Sequence, residues 1–129
     1  MDVERLLWVS LGSAIGGALR YATQQLAVAM LGASFPYGTL AVNLLGSFGI
    51  ALIMHLGLTP ALASPNLRLF LTTGVMGGFT TYSAFNHETL LLLREGPWEL
   101  ALLNAVLMLV GCLAAGIAGL AMGRVLVGP

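Results

Sequence analysis

From Tyr21 to Leu67 the chain carries no Asp, Glu, Lys or Arg, and a second such run extends from Leu100 to Gly123. Uncharged runs longer than about 18 residues are the signature of helices that cross a bilayer. Composition agrees. Charged residues make up 8% of the 129 and hydrophobic ones 58%, whereas a soluble domain has about a quarter of its residues charged. The expected fold class is therefore an all-α membrane protein.

Turn signals divide the chain into four spans. The segments GASFPYG (Gly32 to Gly38), LTPALASPN (Leu58 to Asn66) and REGPW (Arg94 to Trp98) concentrate proline and glycine, which punctuate helices. The predicted spans are about 6–30, 39–57, 68–93 and 98–126, near or above the roughly 20 residues a crossing needs. Together they form a single four-helix membrane domain over residues 1–129. The opening MDVERLLWVSLG is read as the first span, because an apolar chain with no soluble domain follows it.

Net charge is zero, with five arginines against five acidic residues, so nucleic acid is not an expected partner. With four spans, Arg5, Arg68 and Arg124 share one side and Arg94 is the only basic loop residue on the other. Basic loop residues set topology, so the bias towards cytoplasmic termini is weak. The single Cys112 has no disulfide partner and is expected to pack as a small hydrophobe. Gly12/Gly16 and Gly119/Gly123 are GxxxG pairs, which let helix backbones approach closely in lipid.

Polar groups inside spans carry most of the functional information. Arg20 interrupts the first span with no carboxylate in helical reach. It is either a snorkelling side chain or a fixed positive charge at the mouth of an anion path. Thr39, Asn43 and Ser47 recur every four residues on one face of the second span, and Asn104 sits in the fourth. These groups either glue helices together or supply donors to an anion. His55 is expected at an interface. In GGFTTYSAF (Gly77 to Phe85), two glycines and three hydroxyl residues should unwind the third span near its middle. Non-helical backbone is tolerated at that depth only where it is buried in protein or lines a wet cavity. There, freed carbonyls can hold a cation and hydroxyls can face anions. Beyond the break, Tyr82, Phe85 and Thr89 share one helix face. Aromatic rings have an electropositive edge along which a small anion can pass.

Three segments, GGALRY (Gly16–Tyr21), YGTLAVNLLGSF (Tyr37–Phe48) and TTGVMGGFTTYSAF (Thr72–Phe85), resemble the bacterial fluoride channels of the Fluc/CrcB family. The resemblance runs from about Leu6 to Val125. It implies an antiparallel, dual-topology homodimer of four-helix subunits in the bacterial plasma (inner) membrane, multi-pass, exporting fluoride passively through two pores. It also implies a structural Na⁺ at the dimer centre, held by the main-chain carbonyls of Gly77 and Thr80. The pore aromatics would be Tyr82 and Phe85, the polar track Asn43, Thr81 and Ser83, with Thr39 and Asn104 also lining it, and the vestibule arginine Arg20. The partners implied are fluoride, the lipid bilayer and a second copy of the chain. Tyr82 and Ala84 depart from the family's usual TTFSTF motif, and Met108 has no donor where a polar residue is common.

Three other readings compete. A small multidrug-resistance-type exporter needs a carboxylate within the first span, whose only acids here are Asp2 and Glu4 at its start. A membrane hydrolase using Ser83 and His87 lacks a nucleophile elbow, a metal pair and a third orienting group, so no enzyme activity is expected. A non-conducting or heterodimer-only channel subunit would keep the same motifs.

Overall fold

The computed structural model describes residues 2–62 and 64–129. The expected single domain 1–129 and the connection Leu58–Asn66 therefore each include a position, residue 1 or residue 63, outside the described residues. Helix α1 spans Val3–Leu31, α2 Tyr37–Leu56, and a turn of 3-10 helix Pro60–Leu62. Then follow α3 (Pro65–Leu69), a wide π-type stretch (Phe70–Met76), α4 (Gly77–Phe79), α5 (Tyr82–Glu95) and α6 (Trp98–Val127). Among the described residues there is no strand.

Local chemistry sets the ends of these helices. The Asp2 side chain accepts from the Glu4 N–H at the start of α1, satisfying a donor with no helical partner. Gly32 closes that helix at φ 81° and ψ −177°, a conformation almost confined to glycine. Ser64 caps α3, with Pro65 at its first position.

Helices α2 and α6 are long and apolar enough to cross a membrane. They pack along most of their lengths, and the GxxxG pair of α6 sits at that contact. A side chain at Gly119 would collide with the Phe48 carbonyl, and one at Gly123 would lie 2.7 Å from the His55 ring. His55 is thus a packing residue, with Nε2 2.9 Å from the Gly128 carbonyl. The first GxxxG pair faces the third helical run. A Cβ on Gly12 would stand 2.5 Å from the Phe70 carbonyl and 2.8 Å from Gly74 Cα, and one on Gly16 would strike the Val75 carbonyl.

The distribution of polarity is inverted relative to a soluble protein. Buried residues include Thr39, Asn43, Thr72, Thr81 and Asn104, while Leu109, Val110, Leu113, Ile117 and Val125 on α6 are exposed. Apolar surface this extensive marks a face that meets lipid or protein.

Candidate ion pathway

The third helical run does not unwind at its glycines. Gly77, Gly78 and Phe79 remain helical, and the backbone extends only at Thr80 (φ −85°, ψ 158°) and Thr81 (φ −154°, ψ 117°). The reason lies 38 residues away, in α2. Asn43 Oδ1 accepts from the Thr81 N–H at 2.8 Å, and Asn43 Nδ2 donates to the Thr81 carbonyl at 3.0 Å. One side-chain amide thereby supplies both partners that a neighbouring strand would give. The same Nδ2 also lies 3.3 Å from Met108 Sδ. From the sequence, Asn43 either glues helices together or offers donors to an anion. In the structure its amide holds the extended segment in place.

Helix α5 restarts at once because Thr81 Oγ1 accepts from the Ala84 N–H at 3.2 Å. Ser83 Oγ lies 3.3 Å from that hydroxyl, so the two form a hydroxyl pair at the helix start. Arg20 reaches the same place from α1. Its Nη1 donates to the Thr80 carbonyl at 3.3 Å, which gives the guanidinium a partner that no spacing rule within α1 could supply. Arg20 and Ser83 also line a shallow surface depression with Gly17, Tyr21 and Gln24.

On the other side of the break lies a groove of about 660 Å³, lined by Asn43, Ser47, Gly77, Thr80, Tyr82 and Phe85 among others. Tyr82 and Phe85 meet edge to face, with ring centroids 5.5 Å apart and planes at 66°. Tyr82 is 78% exposed, so within one chain it is not a core aromatic. Phe85 is half-buried.

Thr39 and Asn104 lie deeper, in a separate polar layer. Gln24 Nε2 donates to Thr39 Oγ1 at 3.1 Å, and Thr39 Oγ1 donates to Glu88 Oε1 at 2.7 Å. Asn104 Nδ2 donates to Thr89 Oγ1 at 2.9 Å, and Thr89 Oγ1 donates to the Phe85 carbonyl at 2.7 Å. Among the described residues, Glu88 Oε2 and Asn104 Oδ1 are buried acceptors without a hydrogen-bond partner. Glu88 and Gln24 were not singled out as site residues from the sequence. Glu88, as a carboxylate well inside a span, was the available signal; Gln24 gave none.

Gly77 and Thr80, expected to hold sodium, can be tested as ligands. The Gly77 carbonyl has lost its helical donor, since the Thr81 N–H bonds to Asn43 instead. The Thr80 carbonyl gives one lone pair to Arg20 and keeps a second. Among the described residues no group of three or more His, Cys, Asp or Glu gathers around a common point. The donors at the break are neutral carbonyl oxygens, a set that fits a hard alkali cation and not a transition metal.

A helical chain with an amide-pinned break, an exposed aromatic pair and a Gly77 carbonyl released from its helical donor is also the chain that family comparison identifies. Residues 7–120 match the model of the CrcB-like protein, Camphor Resistance (CrcB), family. The chain belongs to the CrcB family. The protein of Sorangium cellulosum (strain So ce56) named "Fluoride-specific ion channel FluC" is 48% identical over 125 residues, covering 97% of this chain and 98% of the relative. One of the same name from Anaeromyxobacter dehalogenans (strain 2CP-1 / ATCC BAA-258) is 48% identical over 126 residues, covering 98% and 100%. Another, from Magnetococcus marinus (strain ATCC BAA-1437 / JCM 17883 / MC-1), is 42% identical over 122 residues, covering 95% and 99%. CrcB membership makes this a membrane protein.

Proposed function

We propose that this chain is a fluoride-selective ion channel, not an enzyme, through which fluoride leaves the cell passively. The observation that carries the reading is near-full-length similarity to proteins named as fluoride-specific channels. The residues suit it. Fluoride is a small, hard anion that needs donors and electropositive edges to replace its water. Thr81, Ser83 and the Tyr82–Phe85 edge pair offer both at one place, and Arg20 adds a nearby positive charge.

The finer architecture belongs to the same proposal. The third of four spans is broken at Thr80–Thr81, and two chains in opposite orientations form a homodimer in the bacterial inner membrane, with two pores. The break groove, open in one chain, is the face each subunit turns to the other. Gly77 supports this. A Cβ there would meet only the Thr72 carbonyl at 3.8 Å, so nothing within the chain requires glycine. A second backbone crossing at that point would. Gly77 and Thr80 carbonyls from both subunits then hold a structural Na⁺.

The test is ion efflux from liposomes containing the purified protein alone. Fluoride should leave rapidly and chloride should not. Equal efflux of both ions defeats the fluoride assignment, and no efflux of either identifies a subunit that needs a different partner.

A further inference from the structure

Three sulfur side chains line the break groove, and the fluoride reading uses none of them. Met108 and Cys112, at i and i+4, share one face of α6, and the Cys112 thiol points at Met108 Sδ across 3.8 Å. Met76, from the wide π-type stretch, also lines this groove, and its Sδ would lie 3.0 Å from a Cβ placed on Gly49 of α2. Met108 is buried and Cys112 half-buried. The groove therefore holds a thiol and two thioethers rather than a cysteine alone.

We propose that Cys112, Met108 and Met76 form a binding site for a soft monovalent cation of the Cu⁺ or Ag⁺ class. Thiolate and thioether ligands select such ions, whereas carboxylates and carbonyls select hard ones. Geometry supports a shared ion. With the zinc–thiolate bond length of about 2.3 Å as a guide, two sulfurs 3.8 Å apart subtend an angle of about 110° at the metal, and somewhat less for the larger Ag⁺. That angle is bent rather than linear and leaves a coordination position open. Met76, unbranched and flexible, is the third sulfur lining the groove and the side chain assigned to that position. On binding, the Cys112 sulfur donates its electron pair to the metal and its proton passes to water, so binding releases one proton and changes no oxidation state. The ion would sit in the groove that Tyr82 and Phe85 also line, within the proposed fluoride path, and should slow efflux. Only this last consequence rests on the fluoride reading.

The experiment uses silver nitrate as probe, in chloride-free buffer, on the purified full-length protein. Calorimetry should show one Ag⁺ bound per chain with release of a proton, and X-ray absorption at the silver edge should show a shell of sulfur only. Cys112→Ser and Met108→Leu are near-isosteric, and gel filtration checks that each stays assembled. Cys112→Ser should weaken binding by at least roughly tenfold, the scale on which metal sites respond to a lost partner, and Met108→Leu by less. Fluoride efflux, measured against each protein's own silver-free rate, should fall on adding Ag⁺ to the unmodified protein and resist it in Cys112→Ser. Unaltered silver affinity in Cys112→Ser, or a first shell of oxygen and nitrogen, overturns the site. Failure of fluoride efflux without silver would defeat the channel reading and leave the binding result standing.

Discussion

Gly77 and Gly78 are consecutive residues with opposite situations. Gly78 is pressed against α1, where a Cβ would lie 2.5 Å from the Ser13 carbonyl and 2.9 Å from Ser13 Cα. Gly77 looks into the break groove and meets nothing nearer than 3.8 Å. One face of the same helical run is finished within the chain, backbone against backbone. The other is left open, beside the extended residues of the break and an exposed tyrosine. In water an open face of this kind would be a defect. In a membrane it is where a second chain and an ion can complete the structure, since close backbone approach is what holds helices together in lipid.

The largest effect is expected on the closed face. Gly16→Val drives a branched side chain into the Val75 carbonyl and the Phe79 N–H. Overpacking of this sort costs about 1–3 kcal/mol or more where backbone cannot move. The variant should fail to appear as folded protein in detergent gel filtration, and a normal elution profile would show that this seam is looser than its geometry.

Gly77→Val comes next and separates the two faces. Its side chain has room within one chain, so the helical content measured by circular dichroism should be kept. Dimers counted by cross-linking, and with them fluoride efflux, should be lost. Dimers that survive unchanged would mean that the groove does not face a second copy.

Asn43→Leu removes the clamp and leaves the Thr81 N–H and carbonyl without their partners, at about 1–3 kcal/mol for each orphaned group. Thermal unfolding should occur at lower temperature, and fluoride efflux should fall with it. Equal stability would mean that water takes over both bonds.

Phe85→Ile keeps bulk and removes the electropositive ring edge. Fluoride efflux should collapse while the dimer persists, and unchanged efflux would make the Tyr82–Phe85 pair ordinary packing. The smallest effect belongs to Thr80→Ser. Thr80 would contribute its main-chain carbonyl to sodium, so sodium retention, read by elemental analysis after dialysis, should equal that of the unmodified protein. Full efflux from protein verifiably free of sodium would leave the Gly77 and Thr80 carbonyls without that role.

The contrast between the two faces also explains what the amino-acid order could reveal. Charge-free runs and proline–glycine punctuation place the helices to within a few residues, because lipid imposes length and polarity locally. The spacing of Gly12 and Gly16 gives the closed seam for the same reason. The break is legible only as a neighbourhood. Glycine's poor helix propensity points to Gly77 and Gly78, yet both stay helical because close packing beside α1, not unwinding, is what Gly78 serves. The extended residues are Thr80 and Thr81, selected by Asn43, and no local signal connects positions 38 apart. The Arg20–Thr80 and Thr39–Glu88 bonds span 60 and 49 residues and were hidden in the same way. The π-type turns at Phe70–Met76 left no trace in a sequence of ordinary apolar residues and threonines.

Those wide turns have a consequence for how the chain can vary. A π-type turn takes in one residue more than an α-helical turn, and each residue of an α-helix advances the azimuth by about 100°. The stretch therefore acts as a phase adjuster between the residues that precede it and those that follow. Removing one residue between Phe70 and Met76 could tighten the winding to a regular helix without shortening the span by more than about 1.5 Å. With that rewinding the segments on either side keep their relative azimuth, whereas one added residue would turn Gly77 by about 100° away from the groove. Length in this segment is thus constrained by angle rather than by distance: a single-residue deletion can be absorbed by tighter winding, whereas a single-residue insertion should be far less tolerated here than in the connection between Gly32 and Pro36.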